Sequence, residues 1–94
     1  MTNGFHTVAT PGYERDIRNV TKRNRPLLST IERLLDILEQ DPYNTTHQHS
    51  IKKLAGVKPG EGQWRIRSGM YRLRYDIMGH DVVLYSFSHR KEAY

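Results

Sequence analysis

The chain has 94 residues, with 15 Lys plus Arg against 10 Asp plus Glu, a formal net charge of +5 and no cysteine. That length fits one domain over residues 1–94, and the missing cysteines exclude a disulfide framework and a thiolate metal site. No stretch approaches the roughly 20 apolar residues of a membrane helix, and the opening MTNGFHTV lacks the basic start and apolar segment of a secretory signal, so the expectation is a basic cytoplasmic domain, away from membranes, with negatively charged partners.

Phe5, Thr7 and Val8 form a short candidate strand. Thr10-Pro11 then starts a helix, because threonine caps free N–H groups and proline suits a first turn. Glu14 and Asp16 follow near the positive end of the helix dipole. Tyr13, Ile17 and Val20 recur at helical spacing, which predicts a helix over Thr10–Lys22 ended by Asn24-Arg25-Pro26. The second helix has the clearest period: Leu27, Ile31, Leu34 and Leu38 form one stripe, widened by Leu28 and Leu35. Asp41-Pro42 closes it, since the residue before proline is disfavoured in helical geometry. The short break between the helices predicts an antiparallel hairpin. Tyr43–Ser50 is polar and reads as a loop; His47 and His49 lie there without a third ligand nearby, so no metal or cofactor is expected.

From Gln63 the period becomes two. Trp64 and Ile66 alternate with Arg65 and Arg67, and Tyr71, Leu73, Tyr75 and Ile77 alternate with Arg72, Arg74 and Asp76. Ser68-Gly69 as a two-residue turn sets Arg65 opposite Arg72 and Ile66 opposite Tyr71. A third strand runs from about Asp81 to Ser88. Val83, Tyr85 and Phe87 are assigned to its core face, which requires an odd loop, Met78-Gly79-His80, before it. The fold class is therefore α+β, an N-terminal strand and a two-helix hairpin packed on a small, mainly antiparallel sheet, with the first strand at an edge or beside the last.

This register gathers Arg65, Arg67, Arg72 and Arg74 on the face away from the helices, with Arg72 turned to solvent. Directly opposed like charges destabilise a sheet by tenths of a kcal/mol up to about 1 kcal/mol. Such a cluster suits phosphates, because each guanidinium forks two N–H donors onto anionic oxygens. A face kept soluble by charge fits the alternation equally well. Lys52, Lys53 and Lys58 extend the basic surface, and His89 is as consistent with packing as with acid–base work.

Lys53-Leu54-Ala55-Gly56, Trp64-Arg65-Ile66-Arg67, Tyr71-Arg72-Leu73-Arg74-Tyr75 and the ending His89-Arg90-Lys91-Glu92-Ala93-Tyr94 together resemble the RelE/ParE superfamily of toxins from toxin–antitoxin pairs. The opening Thr10-Pro11 with Tyr13-Glu14-Arg15-Asp16 is similar to that family's first helix, so the resemblance covers nearly the whole chain. It implies one of two targets. RelE-type members cut messenger RNA on the ribosome without metal, whereas ParE-type members inhibit DNA gyrase by binding. It also implies a cognate antitoxin, ribosome and mRNA as partners, with operator DNA reached only through the antitoxin. Matched to the RelE pattern, the catalytic positions are Arg65, Arg72, Arg90 and Tyr94, with Arg67, Arg74, Lys52, Lys53 and His89 as RNA contacts. Gln63 departs from that pattern, standing where RelE has a basic residue.

Overall fold

The computed structural model describes residues 4–90. Thr10 separates the first strand, β1 (His6–Ala9), from the first helix, α1 (Pro11–Arg23). Its hydroxyl accepts the Tyr13 N–H at 3.2 Å and donates to the Leu84 carbonyl at 2.7 Å. One side chain thus caps the helix and ties it to the sheet. A second helix, α2 (Leu27–Gln40), follows Pro26 and ends at Asp41, as the proline signals predict.

Four strands complete the chain: β2 (Ile51–Lys53), β3 (Trp64–Ser68), β4 (Tyr71–Met78) and β5 (Asp81–His89). The sheet order is β1-β5-β4-β3-β2, antiparallel except for β1, which lies at an edge and runs parallel to β5. This is the expected α+β architecture with one further strand. At three residues, β2 is too short to display a two-residue period. The leucine stripe of α2 and Tyr13 of α1 are buried with Ile66, Leu73, Tyr75, Val82, Leu84 and Phe87.

Two registers differ from the sequence expectation. The β3–β4 loop is Gly69-Met70, with Ser68 opposite Tyr71, Arg67 opposite Arg72 and Arg65 opposite Arg74. Gly69 adopts a φ of +58°, the left-handed conformation that a two-residue hairpin asks of its first loop residue and that glycine enters without penalty. Because the pairing moves by two residues, every side chain keeps its assigned face, but Arg72 opposes Arg67 rather than Arg65.

The second difference changes faces. Met78 pairs with Asp81 around a two-residue Gly79-His80 loop, so Val82 and Leu84 enter the core and Val83 turns away from it. An extra residue, Tyr85, then sits between the pairs Tyr75–Leu84 and Arg74–Ser86. This β-bulge returns Phe87 to the core and Ser86 and Ser88 to the arginine side. The expectation for Phe87, Ser86 and Ser88 holds; that for Val83, Leu84 and Tyr85 is corrected.

The Tyr43–Ser50 segment is a loop, organised by a buried carboxylate. Asp41 accepts hydrogen bonds from the backbone N–H and hydroxyl of Thr45 (2.7 and 2.9 Å) and of Thr46 (3.1 and 2.7 Å). Burial alone would push its pKa up, but these four donors outweigh burial and hold it at about 2, against 3.8 for a free side chain. The folded value lies below the unfolded one, so the stabilisation is complete above about pH 4 and disappears as pH falls toward 2. Its size is about 2 kcal/mol. Asp41→Asn should therefore be less stable than the wild type at pH 7 and lose less on acidification, a difference readable from urea unfolding at pH 7, 4 and 2.

Candidate nucleic-acid interface

Strand pairing turns the arginine face into two rows. Lys52, Arg65, Arg74 and Ser86 lie side by side across β2, β3, β4 and β5. Arg67, Arg72 and Ser88 form the second row. Neighbouring strands are about 4.8 Å apart, close enough for adjacent guanidiniums to reach one phosphate group. The Arg65 Nε is buried and has no hydrogen-bond partner among the described residues. A buried donor of this kind carries a desolvation cost of about 1–3 kcal/mol, which an incoming anionic oxygen removes.

The arginines are not equivalent. Arg67 is exposed, whereas Arg72 is only 8% exposed, which corrects the expectation that it faces open solvent. Its neighbours in the sheet, Arg67 and Ser88, flank the side chain, and the aliphatic stem of an arginine packs readily while its head stays polar. Arg74 is committed to the fold: its Nε and Nη2 both donate to the Gly62 carbonyl, at 3.1 and 3.0 Å. Gly62 has a φ of +83°, and a Cβ there would come within 3.0 Å of the Arg74 Cβ.

Asp76 holds the same loop from the other side. Its carboxylate, 3% exposed, accepts the N–H groups of Gly60 (2.5 Å), Gln63 (2.6 Å) and Gly62 (3.4 Å). The Tyr85 hydroxyl also faces this carboxylate; burial, then the charge of Asp76 and a hydrogen bond to it, raise the Tyr85 pKa above its ordinary value. Sequence reading gave Asp76 and Tyr85 no site role. The available signal was Asp76 itself, an acid continuing a run of arginines on one strand face.

The remaining sequence candidates divide. Lys52 belongs to the arginine face, but Lys53 does not: it pairs with Trp64 on the helix side, its Nζ 5.7 Å from the indole centroid. His89 pairs with Tyr71 and meets that ring edge-on at 5.3 Å. It lines a groove of about 600 Å³ with Asp16, Asn19, Tyr71 and Phe87, between α1 and strands β4 and β5. Arg90 is exposed just beyond β5, with its N–H bonded to the Met70 carbonyl at 2.6 Å. Tyr94 lies outside the described residues. Among the described residues no group of three or more His, Asp or Glu is arranged to hold a metal ion.

Residues 9–94 match the family model for the ParE toxin of type II toxin–antitoxin systems. Among solved structures, the chain is similar to one chain of the toxin–antitoxin complex RelBE2 from Mycobacterium tuberculosis. The two are 25% identical with a TM-score of 0.69, over 92% of this chain and 98% of that one. No curated protein matches the chain.

The two kinds of arginine should separate on mutation. Arg74→Ala removes both bonds to Gly62 and is expected to cost about 1–3 kcal/mol of stability. Arg67→Ala removes an exposed charge opposite another arginine, so its stability should be unchanged or higher by up to about 1 kcal/mol. Urea midpoints of the two variants against the wild type check both.

Proposed function

This chain belongs to the ParE toxin family of type II toxin–antitoxin systems, within the RelE/ParE superfamily, and from that premise we propose that it is a RelE-like endoribonuclease cutting messenger RNA on the ribosome. A cognate antitoxin is the partner that goes with this membership. The observation that carries the nuclease reading is the pair of cationic rows, with Arg65 opposite Arg74, Arg67 opposite Arg72, and a buried Arg65 N–H awaiting an acceptor. A surface selected for solubility alone has no need of opposed arginines or of a buried unsatisfied donor.

The chemistry needs no metal. The ribose 2′-oxygen attacks the adjacent phosphorus, the 2′-proton is taken by a base, and the 5′-oxygen leaves with a proton supplied by an acid. The products are a 2′,3′-cyclic phosphate and a 5′-hydroxyl. In this scheme Arg65 and Arg72 hold the phosphate and offset the negative charge that builds on its oxygens. Arg90 orients the leaving oxygen, and Arg67 and Lys52 bind the flanking backbone. Arg74, tied to Gly62, contributes its charge to the face while its donors hold the loop. Tyr94 enters from the family motif as the base. Lys53 and His89, on the other side of the sheet, drop to peripheral contacts.

The second reading, inhibition of DNA gyrase by binding, is favoured by one observation: the matching family model is that of the ParE toxin. Primer extension on translating ribosomes separates the two. Cuts within A-site codons are expected; supercoiling inhibition with intact mRNA would establish gyrase as the target. For the base, Tyr94→Phe should lower single-turnover cleavage by about 10²–10⁴-fold, the usual contribution of general acid–base catalysis. Equal rates for the two proteins would remove Tyr94 from that role.

A further inference from the structure

The bulge in β5 raises a question that the phosphate-binding rows do not answer. Tyr85 is the one residue of β5 between Asp81 and His89 without a partner on β4. It is not among the residues buried in the core or packed on it. Its hydroxyl instead faces Asp76, which alternates with the core residue Tyr75 and so belongs to the arginine face. The even Gly79-His80 loop turns Tyr85, like Val83, away from the core, and the bulge leaves this partly exposed aromatic ring on the cationic side without a partner on β4. Bulges that interrupt strand pairing in this way are over-represented beside functional sites.

The charge along the face gives the ring a specific role. At the end near the β3–β4 loop stand Arg67, Arg72 and, beyond β5, Arg90. At the other end stands the buried carboxylate of Asp76. Phosphates are drawn to the first end and repelled from the second, so a single strand crossing the face places a base, not backbone, beside Tyr85. From Ser88, opposite Arg72, to Tyr85 is three residues of strand, about 10 Å. That equals a few nucleotides at about 3.4 Å per nucleotide of stacked strand. Every nucleobase has a π-face, and stacking on an aromatic side chain is worth about 1–3 kcal/mol per base.

We propose that Tyr85 is a stacking platform for one nucleobase of single-stranded RNA, within a few nucleotides of the phosphate held by the arginine rows. This rests on the ribonuclease reading for the choice of RNA, and it assigns the sheet a base-binding position beside its phosphate-binding one. Asp76 acts as a positioning residue, fixing the ring's hydroxyl end while it anchors the Gly60–Gln63 loop.

The test uses an oligoribonucleotide made uncleavable by 2′-O-methyl groups, with the fluorescent base 2-aminopurine placed at successive positions. Wild-type protein should quench the fluorophore at one position, two or more nucleotides from the phosphate protected by Arg72. Tyr85→Phe keeps the ring and should keep the quenching. Tyr85→Ala and Tyr85→Leu should lose it and bind about 10-fold more weakly or worse, by anisotropy. Leucine preserves an apolar side chain without a π-face, so a fold defect specific to alanine is recognised by comparing the two urea midpoints. Quenching retained in both Tyr85→Leu and Tyr85→Ala overturns the proposal, as does a wild type that quenches at no position. Because the probe cannot be cut, a protein that stacks the base yet leaves translated mRNA intact would defeat the nuclease reading and leave the platform standing.

Discussion

Side chains on a β-strand alternate with a period of exactly two residues, and the whole molecule turns on how that parity is kept across two hairpins and one bulge. The Gly69-Met70 and Gly79-His80 loops are both even, so by themselves they would carry one alternation unbroken from β3 to the end of β5. Continued without interruption, it would place Phe87 and His89 on the arginine side and Ser86 and Ser88 in the core. The extra residue at Tyr85 resets the phase between Leu84 and Ser86. The first half of β5 thereby buries Val82 and Leu84, and the second half buries Phe87 while presenting serines beside Arg72 and Arg74. Small side chains there leave the long guanidiniums room to converge.

How the sequence discloses this depends on the length over which each signal is averaged. The leucine stripe of α2 recurs over about three turns, and the Thr10-Pro11 and Asp41-Pro42 boundaries rest on local steric rules, so both helices are legible to within a residue. The arginine face is legible for the same reason: five or more alternating residues fix a face even when the partner residue is misjudged by two. The bulge is not legible, because the three-residue loop and the two-residue loop with a later insertion produce the same faces for Phe87, Ser86 and Ser88. In the apolar stretch they differ from Val82 to Tyr85, where both patterns are apolar enough to pass. Lys53 and His89, named as RNA contacts from the resemblance, lie on the helix side because basic residue type says nothing about the side of the sheet on which a short strand or a strand end presents it.

The arginine face also shows stability and function drawing on the same residues in opposite directions. Opposed pairs at Arg65–Arg74 and Arg67–Arg72 lower the stability of a domain whose core is small. The structure offsets part of this locally. Arg74 is turned into a loop anchor through Gly62, and Asp76 sets one negative charge at the end of the row while satisfying three backbone donors. This compensation acts at the Asp76 end, while Arg67, Arg72 and Arg90 gather toward the other. A uniform patch has become a polar surface with a direction.

The parallel pairing of β1 with β5 has a consequence for how the molecule comes into being. His6 through Ala9 align with Asp81 through Leu84, so the sheet joins stretches more than 70 residues apart. Closing so long a loop has an entropic cost that precedes any reward from the contacts, and folds dominated by such distant pairings form comparatively slowly. During synthesis, β1 and α1 leave the ribosome long before the strand that secures them, and Thr10 finds the Leu84 carbonyl only once β5 has followed. The same late strand brings Ser86 and Ser88 to the arginines. A nascent chain therefore holds no completed cationic surface until β5 has emerged, and the timing of its assembly is written into the order of its strands.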